Sequence, residues 1–211
     1  MSHWQWRGCG SAVLAIALSL VAVHAAEPPT EPAALDYWPM QPGMTWIYQD
    51  DQGRQQVVHV VGTATVDGEQ ATMIEETTTH DPHQLLHLYY AVRDGQIVWL
   101  ALERVGGSSG GTLQRQPALV ILWPAAVAVG TRWRMSPAFT QSPESVVERQ
   151  ETISVPAGTY QCLVVVTTMD TGKTSTTWMT PGIGKVRTVT TDSKGRQASS
   201  VELRRFIPTS P

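Results

Sequence analysis

The sequence is poor in charge, and neither sign is concentrated. Its 15 Lys and Arg stand against 18 Asp and Glu, which gives a formal net charge of −3, and only 16% of the residues are charged. Nucleic-acid binding requires Lys and Arg clustered on one face, and a mildly acidic chain supplies no such footprint. We therefore predict no nucleic-acid partner.

The N-terminus lacks an apolar run long enough to form a membrane-spanning helix. Its uncharged stretch, residues 12–23, is about 12 residues long, whereas a spanning helix needs about 20. The stretch follows the positive charge of Arg7 and ends at Val23-His24-Ala25, which matches the pattern of a signal-peptidase cleavage site. This is the pattern of a secretory signal peptide. We predict that residues 1–25 are removed and that the protein is periplasmic or extracellular and not membrane-spanning.

Cysteine is scarce as well. Only Cys9 and Cys162 occur, and Cys9 would leave with the signal peptide, together with Arg7, which changes the net charge from −3 to −4. A single remaining cysteine excludes an intramolecular disulfide. Cys162 lies in an apolar, strand-like segment, so we predict that it is a small buried residue rather than a redox site.

The remaining chain consists of short segments rich in Val, Ile, Thr, Tyr and Trp. Gly, Pro and Asp separate them, and the turns Asp67-Gly68 and Asp94-Gly95 are strong hairpin signals because such turns need positive φ angles. About ten strands with regular turn signals predict a mostly β single domain with little helix, a curved antiparallel sheet that forms a half-barrel or barrel. We assign 26–36 to a flexible leader, 37–206 to the domain and 207–211 to a tail.

A short sequence motif, Gly-x-x-Trp, occurs once in each part of the domain. Gly43 is followed by Trp46, and Gly130 is followed by Trp133 at the same spacing. The repeated motif is too short to establish an internal duplication of the chain. We expect a shared structural role, in which Gly turns the chain and Trp fills the edge of the core.

Tryptophan is the abundant aromatic residue. Six of the eight tryptophans remain once Trp4 and Trp6 are removed, against two phenylalanines in the chain. Such side chains fill the ends of a β-barrel or line an apolar cavity inside it. Because they lie in or beside the most apolar segments, we select Trp99, Trp123 and Trp133 as candidate ligand-binding residues.

Metal-ligating residue types occur together in only one place, as His80, Asp81, His83 and His87. Imidazole and carboxylate suit zinc or another transition metal. On the strand predicted for this segment, however, residues four apart lie about 13 Å from each other, too far to share an ion. We predict no metal and no other cofactor, and these four residues remain weak candidates for a metal site.

Catalytic motifs are missing. Gly-x-Ser-x-Gly occurs twice within the Gly- and Ser-rich stretch 106–111, around Ser108 and Ser109, but no helix is predicted to follow, as a nucleophile elbow requires. Glu75 and Glu76 are neighbours on a predicted strand and point to opposite faces. We therefore assign no catalytic residue and do not expect an enzyme.

Three sequence blocks resemble a loose group of uncharacterised exported bacterial β-rich proteins. They are Tyr37-Trp38-Pro39-Met40-x-Pro42-Gly43-x-x-Trp46-x-Tyr48, Val155-Pro156-Ala157-Gly158-Thr159-Tyr160-x-Cys162 and Trp178-x-x-Pro181-Gly182-x-Gly184-x-Val186. Some members of the group are distantly similar in plan to periplasmic lipoprotein carriers, whose half-barrel holds acyl chains. The resemblance implies an exported half-barrel, and fold alone does not assign a function.

These observations favour an exported, non-enzymatic β-domain that binds an apolar small molecule or a lipid-like ligand. One alternative is a cell-envelope interaction or assembly module with an envelope protein as partner, which predicts a filled core and an unpaired edge strand or exposed apolar patch. The other is a metal-dependent envelope enzyme built on the histidine cluster.

Overall fold

The computed structural model describes residues 32–79, 81–106, 111–138 and 142–209. These residues form a short 3₁₀ helix, Ala34–Tyr37, and twelve strands. The strands are β1 (Thr45–Asp50), β2 (Gln55–Val66), β3 (Glu69–Thr78), β4 (Asp81–Arg93), β5 (Gln96–Val105), β6 (Leu113–Trp123), β7 (Arg132–Arg134), β8 (Glu144–Val155), β9 (Gly158–Thr168), β10 (Thr174–Thr180), β11 (Gly184–Thr191) and β12 (Gln197–Ile207).

All twelve strands belong to one antiparallel sheet that curls into a nearly closed barrel. Its order is β6-β5-β4-β3-β2-β1-β12-β11-β10-β9-β8-β7, so consecutive strands pair except β6 and β7, which are the two edges, and β1 also pairs with β12. The two edge strands approach each other at the Ile121 N–H, which donates to the Met135 carbonyl at 2.6 Å. The predicted mostly β, single-domain half-barrel or barrel is confirmed.

The turns explain why the first strands form consecutive hairpins. At the β2–β3 turn, Asp67 and Gly68 have φ angles of 52° and 84°, and at the β4–β5 turn Asp94 and Gly95 have 50° and 76°. Positive φ at both central residues gives a turn whose twist matches that of the flanking strands. Both Asp-Gly hairpins are therefore confirmed.

The sheet consists of two six-stranded halves, β1–β6 and β7–β12, with matching irregularities. In the first half the β2–β3 register shifts after Val60, and in the second the β8–β9 register shifts after Val147. The N–H of Gly43 donates to the Val60 carbonyl at 2.8 Å, and the N–H of Gly130 donates in the same way to Val147, also at 2.8 Å. The two Gly-x-x-Trp segments therefore share a structural role, as the sequence predicts.

The main core lies inside the barrel and includes the 3₁₀ helix. Ala34 and Tyr37 are buried there, although Ala34 lies in the segment assigned to a leader. Two hydrogen bonds hold this helix, from Trp123 Nε1 to the Ala34 carbonyl and from the Gly182 N–H to the Asp36 carbonyl, each at 2.7 Å. In the described part of the chain, no helix is long and apolar enough to cross a membrane.

Candidate functional site: the cavity inside the barrel

The barrel encloses a cavity of about 390 Å³. Side chains from both halves of the sheet and from the N-terminal segment line it, and most are aromatic or aliphatic. The lining residues are Tyr37, Trp38, Pro39, Trp46, Tyr48, Val58, Ile74, Glu76, Leu88, Tyr90, Leu122, Trp123, Trp133, Met135, Ser145, Val165, Thr167, Thr177, Met179, Ile183, Gly184, Lys185 and Thr188.

Aromatic rings from the N-terminal segment and from β4, β6 and β7 form one wall. Trp123 is at its centre, with ring centroids 5.9 Å from Tyr37, 6.3 Å from Trp38 and 5.7 Å from Trp133. Trp38 also contacts the edge of Tyr90, at 6.3 Å. Such tilted and edge contacts are favourable ring arrangements, and they make this wall rigid and apolar.

Strand β1 is held across the interior by two side-chain hydrogen bonds. Trp46 Nε1 donates to the Ile183 carbonyl at 2.7 Å, and the Tyr48 hydroxyl donates to the Lys185 carbonyl at 3.0 Å. Strands β1 and β11 are not neighbours in the sheet, so these bonds cross the space in front of β12. They orient the two aromatic side chains towards the cavity and satisfy their polar groups.

The second half of the sheet adds hydroxyl groups. Ser145 and Thr167 lie opposite each other on β8 and β9, with their hydroxyl oxygens 2.8 Å apart. Thr177 and Thr188 pair in the same manner on β10 and β11, at 3.3 Å. At the corresponding places of the first half, Val58, Glu76 and Leu88 face the cavity, so the two sides differ in polarity.

Two of the lining side chains, Lys185 and Glu76, are of types that carry a charge at neutral pH. Lys185 lies with its Nζ 4.5 Å from the centre of the Tyr48 ring, and Glu76 accepts a hydrogen bond from Gln56 Nε2. Burial lowers the pKa of Lys185 from its usual value, and the charge of Glu76 opposes that shift. Burial also raises the pKa of both Tyr48 and Tyr90 above the usual tyrosine value, with a smaller contribution from Glu76.

The three tryptophans selected from the sequence are not all at the cavity. Trp123 and Trp133 line it, on either side of the place where β6 meets β7. Trp99 pairs with Tyr90 and packs against the main core, where its Nε1 donates to the Ala101 carbonyl at 2.8 Å, but it is not a lining residue. The ligand-binding assignment of these residues remains a prediction.

Sequence reasoning did not select Trp46, Tyr48, Glu76 or Lys185. The alternation Trp46-x-Tyr48 at the start of β1 places both rings on one face, a signal that could have identified them. Lys185 follows a glycine turn, and nothing local indicates that its side chain enters the barrel.

Of the four residues in the histidine cluster, His87 has a described side chain, and it does not line the cavity. His80 is outside the described residues, and so are the side chains of Asp81 and His83 on β4. His87 is on the face of β4 opposite Leu88, where its ring nitrogens lie 3.7 Å from Glu75 and 3.4 Å from Glu103. Within the described ranges, no group of three or more His, Cys, Asp or Glu residues could hold a metal ion.

Cys162 is buried on β9 and its thiol is free. Burial raises the pKa of the thiol to about 11, with a smaller contribution from the charge of Glu151. A thiolate is the reactive form of cysteine, so this environment suppresses its reactivity.

Comparison with known proteins gives a family model that matches part of the chain and likenesses to solved structures. The family model described as DUF3108-like matches residues 135–203, from the end of β7 into β12. A protein described as exported, with a YmcC-like fold, from Bacteroides fragilis is 16% identical over 81% of this chain and 98% of that chain, with a TM-score of 0.49. A protein described as a lipoprotein, from Parabacteroides distasonis, is 15% identical over the same shares, with a TM-score of 0.44. A search of curated proteins finds no match.

Proposed function

We propose that the protein is a non-enzymatic binding domain whose barrel takes up an apolar or lipid-like molecule. The observation that supports the proposal most is the cavity of about 390 Å³ with a mainly aromatic and aliphatic lining. Ligand sites are commonly about 300–1,000 Å³ and apolar, with a few polar groups that fix orientation. A cavity near the lower end of that range fits a single acyl chain better than a lipid with two.

The N-terminal sequence supports a place of action for this domain. The charged start, short apolar run and cleavage pattern of residues 1–25 are those of an exported protein. The proposal therefore places the domain in the periplasm or outside the cell, where amphiphilic molecules need a carrier or a receptor.

The test introduces a phenylalanine that fills the cavity and compares it with the same substitution at the neighbouring position, which faces away from the cavity. Thr177 lines the cavity, whereas its neighbour Thr176 on β10 points to the opposite face. In tryptophan-fluorescence titrations with monolaurin, we expect saturable binding by the parent protein and by Thr176→Phe. We expect at least about a tenfold loss of affinity in Thr177→Phe, because the added ring occupies the volume the chain would fill. Equal binding by both variants, or a parent protein that binds neither monolaurin nor charged amphiphiles with the same chain, would overturn the proposal.

A second candidate, an envelope interaction module, is favoured by the free edge of β6. Among the described residues, β6 makes backbone bonds to its β7 side only at Ile121, and Leu119 on this edge strand is 39% exposed. Unpaired edges accept another strand. A protein that binds no monolaurin but forms a defined oligomer, lost in Leu119→Lys, would support this candidate instead.

A further inference from the structure

The charged groups inside the barrel indicate the chemistry of the ligand's polar part. Outer-face charges are commonly paired, as Arg93 is with Glu69 at 2.5 Å. Among the described residues, neither an ion pair nor a hydrogen bond reaches the ammonium of Lys185, and its contact is the face of Tyr48. A cation held in a mainly apolar cavity without an anionic partner is costly, so the site favours a ligand that supplies an anion.

Glu76 places a carboxylate in the same cavity. Among the described residues, its side-chain hydrogen bond comes from the neutral amide of Gln56, and no ion pair within 4.0 Å joins it to Lys185. A carboxylate has about four lone-pair positions, so it can accept further bonds from a ligand.

The register of the sheet places the two groups two residues apart along β1. Glu76 pairs with Val58, which pairs with Trp46 on β1, while the Lys185 ammonium lies over the ring of Tyr48, two residues further along that strand. Glu76, Lys185, Tyr48 and Tyr90 all line the same cavity. The aromatic wall around Trp123 borders the same cavity.

Charge balance then discriminates between ligand classes. An anionic amphiphile would pair with Lys185 but add a second negative charge beside Glu76. A cationic amphiphile would pair with Glu76 but add a second positive charge beside Lys185. An uncharged amphiphile leaves both groups without a partner. A ligand with one charge of each sign pairs with both and leaves the cavity neutral, the arrangement that a low-dielectric interior favours.

We propose that the ligand is a single-chain zwitterionic amphiphile whose anionic group lies at Lys185, whose cationic group lies at Glu76, and whose chain packs against the aromatic wall. This inference rests on the proposed function and specifies the ligand class of the same cavity. Lysophospholipids with an ammonium head group belong to this class.

The test is a head-group series with one constant chain. We would titrate the protein with lauroyl lysophosphatidylethanolamine, lauroyl lysophosphatidylglycerol, dodecyltrimethylammonium and monolaurin, each below its critical micelle concentration. We expect the zwitterion to bind at least about tenfold more tightly than any of the others, since each charged hydrogen bond adds a factor of this size.

Two substitutions should change the preference in opposite directions. Glu76→Gln leaves only the cation, so lauroyl lysophosphatidylglycerol should become the preferred ligand. Lys185→Met leaves only the carboxylate, so dodecyltrimethylammonium should be preferred. The matched controls Glu148→Gln and Lys194→Met change exposed residues outside the cavity and should keep the parent preference.

The outcomes separate this inference from the proposed function. Equal binding of all four probes by the parent protein, or unchanged preferences in both variants, overturns the zwitterion while the binding function stands. Failure of all four probes overturns both. If a single variant does not fold, the double variant Glu76→Gln/Lys185→Met, which has no cavity charge, should favour monolaurin, and a retained preference for the zwitterion would contradict the inference.

Discussion

The two seams that join the halves of the barrel are closed by different means. At the β12–β1 seam, the whole of β1 from Thr45 to Asp50 is paired with β12. At the β6–β7 seam, one backbone hydrogen bond, from Ile121 to Met135, connects the described strands. Yet each seam carries an aromatic pair, Trp46 with Phe206 at 5.5 Å and Trp123 with Trp133 at 5.7 Å.

The difference shows what two similar half-sheets can do within one fold. The backbone ladder closes the first seam, so the contact of Trp46 with Phe206 is an addition. At the second seam, contact between the side chains of Trp123 and Trp133 closes the barrel, and both of these tryptophans also line the cavity. Closure of the barrel and the shape of the cavity therefore depend on the same rings at β6–β7, which makes this seam the easier one to open.

The largest expected effect comes from removing the aromatic ring at each seam. Trp123 is almost fully buried and also holds the 3₁₀ helix, so Trp123→Ala should lower the free energy of unfolding by about 3–5 kcal/mol. Phe206 is half-buried beside an intact ladder, and Phe206→Ala should cost about 1–3 kcal/mol. Urea unfolding measures both, and equal losses would contradict the difference between the seams.

Glycine substitutions test whether the halves use the same turn. Gly43 and Gly130 have φ angles of 92° and 95°, and the nearest atom to an added Cβ is 3.5 Å away at Gly43, whereas none lies within 4 Å at Gly130. The cost of alanine is then mainly backbone strain, about 1–2 kcal/mol at each position. Thermal or urea unfolding should give losses that agree within about 0.5 kcal/mol. A large loss at only one position would show that the equivalence is superficial.

The pH dependence of stability tests the charge that distinguishes the halves. Lys185 on β11 pairs with Met179 on β10, and at the equivalent place in the first half Trp99 on β5 pairs with Tyr90 on β4. The second half therefore has a lysine where the first half has a tryptophan. The pKa of Lys185 is lowered in the folded state, so the unfolded chain holds more protons between that lowered pKa and 10.5, and stability should rise with pH in this window.

Lys185→Met should remove this rise and should be more stable than the parent protein at neutral pH, because a half-buried cation without an ion pair is lost. The raised pKa values of Tyr48 and Tyr90 make stability fall above pH 10 in both proteins, so the difference between their profiles isolates the lysine. The exposed control Lys194→Met should match the parent profile. A parallel profile for Lys185→Met would show that the ammonium is well solvated.

The smallest effect is expected at Cys162. Cys162 on β9 pairs with Glu151 on β8, and at the equivalent place in the first half Ala71 on β3 pairs with Ala64 on β2. Cys162→Ala should change the free energy of unfolding by about 1 kcal/mol or less, since one atom is removed. With a thiol pKa of about 11, folded protein should not react with a disulfide reagent at about pH 8, whereas unfolded protein should react fully. Rapid reaction of the folded protein would contradict the buried assignment.

Local chemistry made the sheet predictable, and closure made the site hard to predict. The Asp67-Gly68 turn specifies a hairpin within a few residues, and alternation then gives the two faces of each strand. The three-residue strand β7 has too few residues for such a pattern. Glu76 and Lys185 come together only because β1 pairs with β12, a contact between the two ends of the domain that no local pattern encodes.

Native mass spectrometry tests the binding cavity most directly. We would express the full chain, purify the protein without detergent, and record its mass before and after adding lauroyl lysophosphatidylethanolamine. The cavity predicts one bound amphiphile per chain, retained in Thr176→Phe and lost in Thr177→Phe. An unliganded mass for the parent protein after the addition, or several equivalent adducts that persist in Thr177→Phe, would contradict a binding site inside the barrel.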